Sequence, residues 1–172
     1  MKLTYNAARR ALPGPVARAA VTMLFAALAL VPAFAQQLPQ AKLTPGVATN
    51  DTAKQLCNKT FHTRDVRLVT MPMKRQVFSS YKIKCSPVMT AKAPGVQACS
   101  AYEVDHLISL ELGGANDVKN LWPQPIAEAR HKDVLENWLH AQVCAGALTL
   151  QDAQHRIATN WVAEYARMVK SK

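Results

Sequence analysis

The sequence predicts an α+β fold in which a short pair of strands leads into a C-terminal pair of helices and follows a small basic segment. Three observations carry this reading. Apolar and polar residues alternate over Tyr102–Ile108 (YEVDHLI), as in a half-buried strand. From Ile126 onward the apolar period becomes helical. Hydrophobic residues make up 49% of the 172, which supplies a core and excludes a wholly disordered chain.

Residues 1–35 read as a secretory signal peptide. Lys2, Arg9, Arg10 and Arg18 stand without an acid, Ala19–Pro32 is a short apolar run, and Ala33-Phe34-Ala35 is a small-x-small site, so export with cleavage after Ala35 is expected. The product would be periplasmic or secreted, with no membrane association after cleavage. Residues 36–50 are rich in turn-formers and read as an extended lead-in. Residues 51–101 form a basic extension: Asp65–Thr70 alternates like a strand, Pro72–Tyr81 looks like a helix opened by its proline, and Ser86–Gly95 reads as a loop.

In residues 102–172 the first strand is followed by a turn at Gly113-Gly114 and a second strand over Asn120–Pro123. Val134, Leu135, Trp138, Leu139 and Val143 then make one helical stripe, closed by Ala145-Gly146. Thr149-x-x-Asp152 resembles a capping box and opens a last helix with the stripe Ala153, Ile157, Trp161, Val162, Tyr165 and Val169. Trp138 and Trp161 belong to the core, Trp122 reads as packing, and His62, His140 and His155 as surface or capping residues.

Cys57, Cys85, Cys99 and Cys144 all lie beyond the signal segment, and an even count in an oxidising compartment predicts two disulfides with three pairings open. A zinc cluster is the weaker alternative, because no Cys-x-x-Cys pair is present. The net charge of +10 divides unevenly. Four basic residues fall in the signal segment, and residues 51–101 carry nine basic residues against two acids. Such a segment suits a polyanion held by salt-sensitive, sequence-indifferent contacts; the candidate contacts are Arg67, Lys74 and Arg75 in it and Lys119 and Lys132 beyond it.

The chemistry is concentrated in Tyr102–Asp133, YEVDHLISLELGGANDVKNLWPQPIAEARHKD. Asp105-His106, the Gly113-Gly114 turn, Asn120-Leu121 and the following helix resemble the His-Asn-His (HNH) endonucleases. The run DHLISLELGG…NLWPQP with Lys132-Asp133-x-Leu135-Glu136-Asn137 resembles a group of small exported bacterial proteins of that type. A phosphodiester resists attack by an anion, so its hydrolysis needs positive charge on the phosphate and a base for water. The resemblance implies a ββα-metal core (the His-Me finger) that binds one divalent ion, Mg2+, Mn2+, Ni2+ or Zn2+. It also implies low-specificity cleavage of nucleic acid, DNA first, leaving a 5′-phosphate and a 3′-hydroxyl. In that scheme Asp105 binds the metal, His106 is the general base and Asn120 ties the strands together so that the histidine is aimed. The helical ligand position nine residues after Asn120 is Ala129, which has no ligand atom. His131 and Asp133 are preferred there, and Asn137 is the third candidate. The gap at Ala129 keeps open a second reading: an inactive exported scaffold of HNH type that binds anionic polymers or a protein partner.

Overall fold

The structure, a computed structural model, describes residues 37–86, 97–98 and 101–171. The expectations for residues 1–35 and for most of the Ser86–Gly95 loop lie outside these. The described chain is mixed α and β. Its elements are α1 (Ala53–Leu56), α2 (Thr63–Val66), α3 (Met71–Ser80), β1 (Cys85–Ser86), β2 (Gln97–Ala98), β3 (Tyr102–His106), β4 (Leu121–Pro125), α4 (Ile126–Cys144) and α5 (Leu150–Lys170). β1 and β2 pair in parallel, and β3 and β4 are antiparallel with Asp105 opposite Trp122 and His106 opposite Leu121. No helix of the described residues is long and apolar enough to cross a membrane.

The core lies between α4, α5 and the inner face of β4. Leu107, Leu112, Trp122, Leu135, Leu139, Ile157 and Trp161 are buried together there. Gly146, at φ 73°, lets the chain turn back after α4, and the Thr149 side chain accepts from the Asp152 amide to open α5. Two predicted stripe positions come out exposed. Val134 lies at the edge of its stripe, and Val169 is displaced by Met168. The buried positions of α5, Ala153, Ile157, Trp161, Glu164 and Met168, keep the spacing of three and four residues along the whole helix, across the non-helical backbone at Asn160 (φ −164°, ψ 85°), so Val169 falls at the edge of the face they form.

The basic segment departs further from expectation. Pro72 does open a helix, with the Thr70 side chain as its cap. Asp65–Thr70 is not a strand: it is the end of α2 followed by irregular backbone, with Leu68 exposed. A strand needs a neighbour for its amides, and here the backbone bonds go instead to one side chain. Asn116 Oδ1 accepts from the Leu68 amide at 3.0 Å and Asn116 Nδ2 donates to the Val66 carbonyl at 2.8 Å. The lead-in is likewise stitched into the body, because the Gly46 amide donates to the Lys119 carbonyl, Ala115 to Val47 and Thr49 to Gly113.

Cys57, which caps α1, is bonded to Cys144 at the end of α4, across 87 residues. Cys99 and the Cys85 side chain lie outside the described residues. Closing so long a loop restricts the unfolded chain, so Cys57→Ser/Cys144→Ser is expected to cost about 2–5 kcal/mol, read as a lowered urea midpoint.

Candidate functional site

The site is built on the connection between β3 and β4, residues 107–120. A connection this long has many backbone polar groups to satisfy, and one side chain satisfies several of them. Asn120, wholly buried, accepts at Oδ1 from the Ile108 amide (3.0 Å) and the Val47 amide (3.3 Å), and donates through Nδ2 to the Ile108 and Ala115 carbonyls (3.0 Å each). Both donors and both acceptor sites of the amide are used. The glycines are fitted to this knot. Gly113 has φ 74°, and a Cβ on Gly114 would lie 1.7 Å from the Ile108 carbonyl oxygen. Gly114 is therefore required for close backbone approach, and Gly113 for the left-handed turn.

The strand alternation that separates Asp105 from His106 is visible in their partners. His106 is 2% exposed, and its Nε2 lies 3.1 Å from Asn116 Oδ1. The orientation of Asn116 is fixed by its two bonds to residues 66 and 68, so that oxygen must accept. Nε2 therefore carries the proton, and the lone pair of the neutral imidazole is on Nδ1. Burial pushes the His106 pKa below its usual 6.5, against the hydrogen bond to Asn116 and the charge of Asp105, which act in the opposite direction.

Asp105 turns to α4. Its Oδ2 accepts at 2.7 Å from Lys132 Nζ, which also donates to the His106 carbonyl at 2.6 Å and to Glu136. Burial acts to lower the Lys132 pKa, but Asp105 and Glu136 together hold it above its ordinary value, so the ammonium is charged. Burial, partly offset by Lys132, raises the Glu136 carboxyl. Glu103 and Asp133 are also raised, first by burial and then by the charge of Asp105. Two carboxylates thus share one internal cation, and two more carboxylates lie within reach of its field.

Beside β3 runs a groove of about 1080 Å³. Arg67, Lys74, Arg75, Lys82 and Lys84 line it with Phe78, Tyr102 and one acid, Glu103. Phe78 and Tyr102 meet edge to face with centroids 6.4 Å apart. Arg67 links groove and site, because its charge is felt at Glu103, His106 and Asp133.

The predicted residues thus divide. Asp105, His106 and Asn120 meet at one end of the hairpin, with the Asp133 carboxylate within the field of Asp105. Arg67, Lys74 and Arg75 share the groove, whereas Lys119 is exposed on the 107–120 connection and lies outside that lining. Lys132 is corrected outright as a nucleic-acid contact: its side chain is 1% exposed and its three ammonium protons are spent inside the protein. The His131 ring packs on Tyr165 of α5 with centroids 5.1 Å apart.

Asp105 and Asp133 supply the hard oxygens that a divalent ion takes, but Lys132 already holds Asp105 Oδ2. Among the described residues, the group of three ligand-type side chains with atoms within 4.8 Å of one another is Cys57, His140 and Cys144. Such a group could hold a metal ion as thiolates, but here its sulfurs are joined as a disulfide. His140 Nε2 lies 3.2 Å from the Leu56 carbonyl, tying α4 to α1.

Asn116, Glu136 and the role of Lys132 were missed by sequence reasoning. Lys132 and Glu136, at i and i+4, look like an ordinary exposed helix pair, and Asn116 like a turn residue. Comparisons with family models, curated proteins and solved structures find no match to this chain.

Replacing Asn120 with Ala leaves buried amides and carbonyls unpaired and is expected to cost about 3 kcal/mol or more by urea unfolding. For His106, 15N-detected NMR should show the Nε2–H tautomer and a midpoint below 6.5. A depressed folded-state pKa gives stability that is present above 6.5 and lost as pH falls through the folded value, and His106→Gln should flatten that acid limb.

Proposed function

We propose that this chain, exported and cleaved after Ala35, is a phosphodiester hydrolase of HNH type that acts on nucleic acid with low sequence specificity. The observation that carries the reading is His106. It is kept neutral, its Nε2 is committed to Asn116, and its basic Nδ1 belongs to a strand that also lines the basic groove. A base of this kind can take a proton from water near neutral pH. The hairpin with its Asn120 knot, followed directly by α4, is the strand–strand–helix order that the resemblance implies.

The groove supports a polyanion as substrate. Five cations give affinity through counterion release, and Phe78 and Tyr102 offer faces for bases. Arg67 lines the groove and its charge is felt at His106, so its guanidinium would offset charge developing on a phosphate held there. Asn120 acts by holding the backbone of Leu107 and Ile108, and hence the aim of His106, without touching substrate. Because Lys132 already holds Asp105 Oδ2, no step is assigned to an ion there.

A second reading has its own observation. His106 is 2% exposed and Asp105 is paired with Lys132, an arrangement that suits a scaffold which binds anionic polymers without cutting them. Incubating the purified protein with plasmid and with single-stranded DNA separates the two. Arms contain EDTA, Mg2+, Mn2+, Ni2+ or Zn2+, and His106→Ala is run beside each. Cleavage at least about 100-fold above the His106→Ala rate in some arm is expected for a general base. Salt-sensitive DNA binding that Arg67→Ala/Arg75→Ala weakens, with cleavage no faster than His106→Ala in every arm, would leave the scaffold reading instead.

A further inference from the structure

The donors around Lys132 form a set that is usually met around a metal. Asp105 Oδ2, a Glu136 carboxylate oxygen and the His106 carbonyl oxygen converge on a single point, and the side chain that reaches that point is 1% exposed. Two carboxylates and a main-chain carbonyl are oxygen ligands of the kind a hard divalent cation selects. An ammonium has three protons and no acceptor, so all of its capacity is used here. Glu136 lies one helical turn beyond Lys132, and Asp105 and His106 are adjacent on β3, so one cation fixes the strand to the helix at the residue pair that carries the chemistry.

We propose that the Lys132 ammonium is the resident cation of this oxygen cage, a covalently tethered replacement for the divalent ion that an HNH-type site would hold at Asp105. It neutralises Asp105, and it fixes the backbone of His106 through the carbonyl, as a positioning residue buried away from substrate. Removing the ammonium while keeping the oxygens converts the cage into a divalent-cation site. The inference stands on the cage geometry and does not depend on whether the protein cleaves nucleic acid. An inactive protein with a filled cage satisfies it, and an active one that binds metal at Asp105 refutes it.

The test is Mn2+ binding by the purified protein, followed through the electron paramagnetic resonance signal of the free ion and without reductant, so that Cys57 and Cys144 stay bonded. The wild type is expected to show no one-to-one site that depends on Asp105. Its protected Lys132 ammonium resonance, seen by 15N NMR, should persist unbroadened when Mn2+ is added. Lys132→Met should bind one Mn2+ at least roughly tenfold more tightly than wild type, and Lys132→Met/Asp105→Asn should lose that gain. If Lys132→Met does not fold, the wild-type measurements decide. One Mn2+ bound by wild type, lost in Asp105→Asn and broadening the Lys132 resonance, would overturn the proposal. A folded Lys132→Met that gains no Mn2+ site would do so as well.

Discussion

The Asn120 side chain is the constraint on which the site depends. A connection of fourteen residues between two five-residue strands cannot hold its shape through strand pairing alone. Asn120 gives it a fixed internal partner, and through Val47 it includes the lead-in as well. The other close approaches follow from that knot: Gly114 must lack a side chain, Asn116 is delivered to His106, and residues 66–68 are held against Asn116. A small amide thereby connects segments that are far apart in sequence.

Charge is arranged around the same hairpin in two layers. Inside, Lys132 meets Asp105 and Glu136 in a triad whose separation would be costly, because breaking one side of a buried ion pair leaves an unpaired charge and typically costs about 3–5 kcal/mol. Outside, the cations of α3 and its flanks border the groove, with Glu103 and Asp133 between the layers. Internal pairing keeps Lys132 out of reach of a polyanion, so the cations that line the groove, Arg67, Lys74, Arg75, Lys82 and Lys84, all come from the basic segment.

Much of the hairpin and of the helical pair was legible. Strand alternation over YEVDH, the Thr149 cap and the Leu135, Leu139, Ile157 and Trp161 stripes are local patterns, and local patterns survive where the residues' neighbours agree with them. Asp65–Thr70 alternates just as well and is not a strand, because the backbone at residues 66 and 68 bonds to the Asn116 side chain. Val169 came out exposed for a different reason: the buried face of α5 runs through Ala153, Ile157, Trp161, Glu164 and Met168, and Val169 lies at its edge.

The sequence by itself determined the α+β class, the grouping of Asp105, His106 and Asn120 on one hairpin, and the concentration of positive charge before it. These depend on residue type and near-neighbour spacing. Only the tertiary structure decided that Lys132 is internal, that Cys57 is joined to Cys144, that His131 packs on Tyr165, and which nitrogen of His106 carries the proton. Each of these depends on which distant group is within about 3–5 Å, and the backbone path that brings such groups together is set by packing of the whole chain.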